Sequence, residues 1–235
     1  MRKIKFDHAQ LRDMAVSKAP TEDSKESFPL PVNLICVITI RPDRWASFND
    51  RMGSWHAMVT KLDGTDGRRI DRSDWIRRGL IDKDCKLRRG QLGCYDSHVR
   101  VWKKMRADKV GRMLICEDDA GLFNNAVTTA YLKQLETETR RIDYDMLMLG
   151  HHCRGENARV SRNVEQAPDT VGLFAYVLTL RGAEKLLKMQ LVPYKVPIDN
   201  LISSFIKKAN LRIVRATPAV CFVVPITCSD TINIL

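Results

Sequence analysis

With 235 residues, 44% hydrophobic and 29% charged, the chain is long enough to bury one full core, and no apolar run in it reaches the length that spans a bilayer as a helix. Its 39 Lys plus Arg against 28 Asp plus Glu leave a formal net charge of +11, which points to an anionic partner: a nucleotide, a nucleic acid or an acidic membrane surface. The seven cysteines are odd in number and include no Cys-x-x-Cys pair, which argues against a disulfide framework and against structural zinc.

Residues 1–30 are polar and charged, with Pro20, Pro29 and Pro31 bracketing a Thr-Glu-Asp-Ser-Lys-Glu-Ser stretch, and are expected to form an arm outside the core. They contain no apolar core of a signal peptide, so a cytoplasmic start is expected. One domain is expected over residues 31–235. It opens with a β-branched run at residues 32–40, fit for a central strand and stopped by Arg41-Pro42. Arg41 and Arg44 then stand at a strand's C-terminal edge, where guanidinium groups suit a base or a phosphate as well as an ordinary charged turn.

A helix is expected around residues 45–55 and a second strand at 56–62, ending in Asp63-Gly64-Thr65-Asp66-Gly67. That segment reads as a tight turn, although an acid just after a strand is also a good partner for ribose hydroxyls. Residues 68–89 are rich in basic side chains and read as a solvated face. In the Gly90 to His98 segment, Leu92 and Tyr95 continue into Val99, Trp102 and Met105 at helical spacing, so one face of this helix is core. Its glycines permit close backbone approach, and Ser97 and His98 lie about two turns in, where His98 is more naturally packed against Trp102 than set on a substrate.

The most informative string is Leu114-Ile115-Cys116-Glu117-Asp118-Asp119-Ala120: a short apolar run, preceded by the turn-like Val110-Gly111-Arg112, that closes in three acids. Carboxylates this close repel one another unless a divalent cation neutralises them, and hard oxygen ligands suit magnesium or manganese. In extended chain, residues two apart share a face, so Glu117 and Asp119 reach one ion while Asp118 points elsewhere or turns in. The plainer alternative is an acidic turn.

Beyond it, a helix is expected at residues 126–140 and a strand at 144–149, closed by Gly150-His151-His152, of which at most one histidine would join a metal. Residues 151–169 read as a loop, 171–180 as a strand and 181–187 as a short helix. Asp199 stands at or inside the N-terminus of a helix that runs through Leu201, Ile202 and Phe205, where it either caps or serves as a general base. Strands are expected at 211–216 and 220–224, ahead of Ser229-Asp230.

In this order the motifs resemble glycosyltransferase family 25, the group of bacterial lipooligosaccharide galactosyltransferases and animal procollagen galactosyltransferases. The resemblance is carried by a first strand followed by Arg41-x-x-Arg44, Asp63-Gly64, and Gly90-x-x-Gly93-Cys94-x-x-Ser97-His98 with Trp102 four residues on. It continues through Glu117-Asp118-Asp119-Ala120, the aromatic strand with Gly182-Ala183-x-x-Leu186-Leu187, and Ser229-Asp230. Thr39 and Cys116 depart from it, standing where the family usually has asparagine and leucine.

The resemblance implies a GT-A fold: a Rossmann-like α/β domain with a mixed sheet flanked by helices. It implies an inverting hexosyltransferase, galactose or glucose favoured, that uses a UDP-sugar and manganese or magnesium, as in lipopolysaccharide and other glycan biosynthesis. Glu117, Asp118 and Asp119 would hold the metal against the diphosphate. Arg41, Arg44, Asp63 and Gly64 would lie near base and ribose, and Gly90, Ser97 and His98 beside the sugar or phosphates. Asp199 would be the base, with Asp230 in reserve. The acceptor would be a glycan, lipid or protein hydroxyl. A short, unsignalled form resembles the bacterial or viral members, cytoplasmic and in possible peripheral contact with an acidic membrane. Two other classes stay open: an inactive nucleotide-sugar-binding protein, and a basic nucleic-acid or membrane-surface protein. The former is read from the departures at Thr39 and Cys116. Nucleic acid is the weaker choice, for want of a zinc finger, a clear helix-turn-helix or an aromatic RNA-binding strand.

Overall fold

A computed structural model of the chain describes residues 27–152, 157–206, 208 and 210–224. Its frame is an eight-stranded mixed sheet. In chain order the strands of the parallel edge are β1 (Leu34–Thr39), β2 (Val59–Asp63) and β3 (Arg112–Glu117), with β1 between the other two and parallel to both. β5 (Met146–Gly150), β6 (Arg159–Ser161), β7 (Val164–Gln166), β8 (Ala175–Thr179) and β9 (Ile213–Ala216) complete it in the spatial order β2-β1-β3-β8-β5-β9-β7-β6. A separate antiparallel pair joins β4 (Ala120–Gly121) to β10 (Phe222–Val223).

The central strands alternate strictly between two apolar layers. Cys36, Ile38, Met113, Ile115, Met146, Met148, Tyr176 and Leu178 enter one core, and Ile35, Val37, Leu114, Cys116, Leu147, Leu149, Ala175 and Val177 the other. Both faces are therefore covered, which is why these strands read as unbroken apolar runs. α3 (Arg89–Ala107), α5 (Leu180–Leu187) and α6 (Ile198–Phe205) contribute to the first layer, together with Trp75 and Ile76 of α2 (Arg72–Arg77). α1 (Pro42–Met52) and α4 (Ala126–Thr139) contribute to the second.

Several boundaries differ from the expected ones for local reasons. α1 starts at Pro42, whose missing N–H and fixed φ suit a first helical turn, and it stops at Gly53, where φ is +51°. A 3-10 segment, Gly53–Met58, follows, so β2 begins later than expected. The basic stretch holds the short helix α2, capped by the Asp71 side chain on the Ser73 N–H, with Trp75 buried. The expected loop at 151–169 contains the β6–β7 hairpin at the sheet's edge, while residues 153–156 lie outside the described residues. The core also begins before residue 31: Phe28 and Leu30 are buried, and Phe28 meets Trp55 edge-on at 5.0 Å. Of the expected arm, residues 1–26 lie outside the described residues, as do Ser229 and Asp230.

Register sets the site. Thr39 pairs with Asp63, and Ile38 with Glu117, so the carboxyl ends of β1, β2 and β3 come level at one rim of the sheet. In open α/β sheets that rim is where ligands bind.

Candidate functional site

The acid turn is fixed from several directions. The Glu117 N–H donates to the Phe174 carbonyl at 2.9 Å, and Val224 N–H to the Asp119 carbonyl at 2.9 Å. From α1, Arg51 Nη2 donates to the carbonyls of Asp118 at 3.0 Å and Ala120 at 3.3 Å. The backbone here is thus held by β8, the β10 segment and α1, and the three side chains diverge.

Asp118 turns inward. Its Oδ2 accepts the Thr39 hydroxyl at 2.5 Å and its Oδ1 lies 3.4 Å from Arg44 Nη1, all largely buried. Burial pushes its carboxyl up, which the Thr39 and Arg44 contacts only partly offset. Arg44 is thereby engaged with Asp118 at the floor of the first cavity rather than presented freely to a base.

Glu117, at the end of β3, and Asp119, in the turn that follows it, face two cavities. The first, of about 90 Å³, is lined by Thr39, Arg44, Thr65, Gly90, Gly93 and Ser97 among others. The second, of about 330 Å³, is lined by His152, Gly172, Leu173, Phe174, Pro197, Ile198, Asp199 and Val223. Glu117, Asp119 and Cys94 line both, so the two spaces meet at this pair of carboxylates.

Glu117 is held in place by a buried chain of hydrogen bonds. Trp102 Nε1 can only donate, and it does so to the Tyr176 hydroxyl at 3.0 Å. The hydroxyl's own proton then goes to His98 Nδ1 at 2.8 Å, which leaves the ring proton on Nε2 to donate to Glu117 Oε1 at 3.2 Å. The opposite tautomer would leave the buried Tyr176 O–H without an acceptor among the described residues. Cys94 Sγ donates to the same Oε1 at 3.4 Å. Burial alone would push Glu117 up, but His98, Cys94 and Arg44 together hold it below the usual carboxylate range. His98 is thus both packed, as its place on α3 predicts, and joined to the site.

Asp119 is the opposite case. Burial first, then repulsion from Glu117 and Asp118, push its carboxyl up to about 7, and its Oδ1 is buried without a hydrogen-bond partner. An orphaned buried oxygen beside an ionised carboxylate, all oxygen donors, fits a hard divalent cation. Glu117 and Asp119 would hold it, and Asp118 would support them from behind.

The remaining expected residues divide. Gly90 and Ser97 line the first cavity. Ser97 also accepts the Thr65 N–H at 2.8 Å and donates to the Gly93 carbonyl at 2.6 Å, so it anchors the loop after β2. At Gly93 a Cβ would stand 2.4 Å from the Thr65 carbonyl oxygen, so this close approach of helix to loop requires glycine. Gly64 packs below, facing Ile38, Ile40 and Ser97. The structure does not bring Asp63 or Arg41 to either cavity. Asp63 is 83% exposed and paired with Lys61, and Arg41 is paired with Asp43. Of the two histidines, His152 reaches the second cavity, its ring 5.1 Å from Phe174, while His151 Nε2 donates to the Ala216 carbonyl.

Asp199 lies in the first turn of α6 and lines the second cavity with Glu117 and Asp119. The N-cap of α6 is Pro197, with no side-chain cap bond; Asp199 lies just inside it, its Oδ1 accepting the Asn200 N–H at 2.9 Å and its Oδ2 3.4 Å from the Gly172 N–H, and it faces the open space. Sequence reasoning missed Cys94, Thr65 and Phe174. For Cys94 a signal existed: it stands four residues before His98 on one helical face.

Comparison with known proteins accounts for this arrangement. Residues 31–202 match the model of glycosyltransferase family 25 (LPS biosynthesis protein). Inactive glycosyltransferase 25 family member 3 of Homo sapiens is 26% identical over 206 residues, covering 80% of this chain and 34% of that protein. Procollagen galactosyltransferase 1 of Danio rerio is 27% identical over 124 residues, 49% of this chain and 20% of its own. The chain thus spans about a third or less of the length of these relatives. Among solved structures, a candidate nucleotide-diphospho-sugar transferase of Desulfovibrio desulfuricans G20 is similar with a TM-score of 0.34 and 10% identity, over 78% of this chain and 58% of that one. With the match spanning most of the described residues, and with the acid turn, the Gly90 to His98 helix and the aromatic strand β8 converging at one rim, the chain belongs to glycosyltransferase family 25.

Proposed function

We propose that the chain is a metal-dependent, inverting hexosyltransferase that moves galactose or glucose from a UDP-sugar to a hydroxyl of a glycan, lipid or protein acceptor. The observation that carries this reading is that two cavities meet at Glu117 and Asp119. A two-substrate transfer needs one space for the donor, one for the acceptor and the reacting bond between them. The smaller cavity, with Arg44, Thr65, Gly93 and Ser97, suits part of the donor; the larger, with Asp199, His152 and Phe174, suits the acceptor.

Manganese or magnesium, when bound, would neutralise the diphosphate leaving group as a Lewis acid. The chain's own residues do the rest. Glu117 stays ionised and oriented through His98 and Tyr176, and Asp119 supplies an oxygen with no competing bond. Phe174 and Leu173 offer an apolar wall to a sugar face and exclude water. Asp199, across the larger cavity, takes the acceptor proton while its contacts with Asn200 and Gly172 hold it in position. The net charge of +11 favours anionic donors and peripheral contact with an acidic membrane, in keeping with a cytoplasmic place.

A second reading, a protein that binds a nucleotide sugar without turning it over, is favoured by the human relative's description as inactive. Release of UDP from UDP-galactose and UDP-glucose, with manganese and with chelator, separates the two. Manganese-dependent release supports the transferase, and binding without release supports the second reading.

A further inference from the structure

Beyond the hard-cation reading, we propose that Cys94, His98 and Glu117 form a second metal site, for a borderline-soft divalent ion of the zinc type. Cys94 Sγ, a ring nitrogen of His98 and a carboxylate oxygen of Glu117 all lie within 4.8 Å of one another. Oε1 of Glu117 lies 3.2 Å from His98 Nε2 and 3.4 Å from Cys94 Sγ. Zinc bond lengths to nitrogen, oxygen and sulfur at a tetrahedral angle give ligand-to-ligand edges of roughly 3.4–3.6 Å, so two of the three edges are near the required spacing already and the third, from sulfur to nitrogen, is within 4.8 Å.

The scaffold suits such a site. Cys94 and His98 are four residues apart on α3 and so present one face, while Glu117 is fixed at the end of β3 through its N–H on Phe174. His98 already has a hydrogen-bonding partner on its other nitrogen, the Tyr176 hydroxyl at 2.8 Å, whose oxygen can accept the ring N–H that a metal-bound imidazole donates. On binding, the Cys94 thiol proton leaves to solvent and the His98 ring proton moves from Nε2 to Nδ1, which then donates to the Tyr176 oxygen; the Tyr176 O–H gives up its His98 acceptor, a cost that the metal–ligand bonds must exceed. Cys94 and Glu117 line both cavities, so the fourth position is open to water or a ligand.

Ligand chemistry sets the preference. A thiolate and an imidazole favour zinc over manganese or magnesium, and Asp119 stands outside this trio. Because Glu117 belongs to both sets, zinc here would compete with the hard cation. The site is a point of metal control, not a structural staple.

Cobalt(II) is the spectroscopic probe for metal-stripped, full-length protein. The expected result is a near-ultraviolet thiolate-to-cobalt charge-transfer band with the intensified visible bands of a tetrahedral ion, lost on adding zinc and unaffected by equimolar manganese. Cys94→Ser should abolish the thiolate band, and His98→Gln should weaken zinc binding about 10–100-fold. X-ray absorption on zinc-loaded wild type needs no variant to fold, and should show one sulfur with nitrogen and oxygen neighbours. No thiolate band, a band that persists in Cys94→Ser, or a zinc shell with no sulfur or with two would overturn the proposal. None of these readouts depends on transferase activity, so a failed transfer assay leaves this test standing.

Discussion

The hydroxyl of Thr39, at the end of β1, donates to Asp118 Oδ2 at 2.5 Å across 79 residues of sequence. This bond turns the middle acid of the triplet inward and makes it the link between β1 and the acid turn. Thr39→Val should therefore lower the free energy of unfolding by about 1–3 kcal/mol, the cost of a lost bond to a charged buried group. Urea denaturation measures this. The variant's stabilisation by manganese should remain, whereas its disappearance would place Asp118 among the ligands.

Asp119 gives the molecule a pH signature. Its carboxyl is pushed from 3.8 up to about 7, by burial first and then by its acidic neighbours. Between these values the folded state binds more protons than the unfolded, so the metal-free protein loses stability as pH rises through that window. Asp119→Asn should flatten this slope and be about 1–3 kcal/mol more stable than wild type above pH ~7. Manganese should stabilise wild type there, less so as the pH falls below about 7, and the variant hardly at all. Thermal unfolding across pH, with and without the ion, checks both.

Tyr176 joins Trp102 to His98, and through His98 to Glu117. Tyr176→Phe leaves two buried ring nitrogens without their partner, so a loss of about 1–3 kcal/mol is expected. Because Glu117 loses its fixed orientation, turnover should also fall about 10–100-fold, with metal affinity weakened alongside. Unaltered turnover at full folding would mean that the chain only packs the core.

Asp199 lines the larger cavity together with the acid pair. Asp199→Asn keeps the shape and can keep the bond from the Asn200 N–H, so donor affinity should stay within about twofold while turnover falls about 10²–10⁴-fold, as for a lost general base. Calorimetry for the donor and initial rates for transfer give the two numbers. Equal loss in both would make Asp199 a donor-binding residue instead.

The sheet was legible in the sequence wherever a strand is covered on both faces. The runs in β1, β3, β5 and β8 are short, apolar and bounded by turn residues, and each appears within a few positions of its expected place. The edge hairpin β6–β7 escaped notice because its strands are three residues each, and the exposed Arg159 and Val160 give β6 no alternation to read. α2 was missed because six residues supply too little of a helical period, with only Trp75 fully buried. At the site, strand alternation stops at Glu117, because Asp118 and Asp119 form a turn, and it is this turn that brings Asp119 to the cavities that Glu117 lines. The partners of Asp118 and Glu117 are set by β1, α1 and α3, which no local pattern reveals. Asp63 illustrates the reverse: a strand-end acid suggests ribose, but Lys61, two residues back on the same face, engages it.

The central claim, that Glu117 and Asp119 hold a cation that in turn holds a sugar nucleotide's diphosphate, is tested most directly by calorimetric titration of UDP-galactose and UDP-glucose. Wild type and Asp119→Asn would be compared, each with manganese and with chelator. Binding by wild type that requires manganese and is lost in Asp119→Asn is the predicted result. Binding of equal strength with chelator, or in the variant, would contradict the claim.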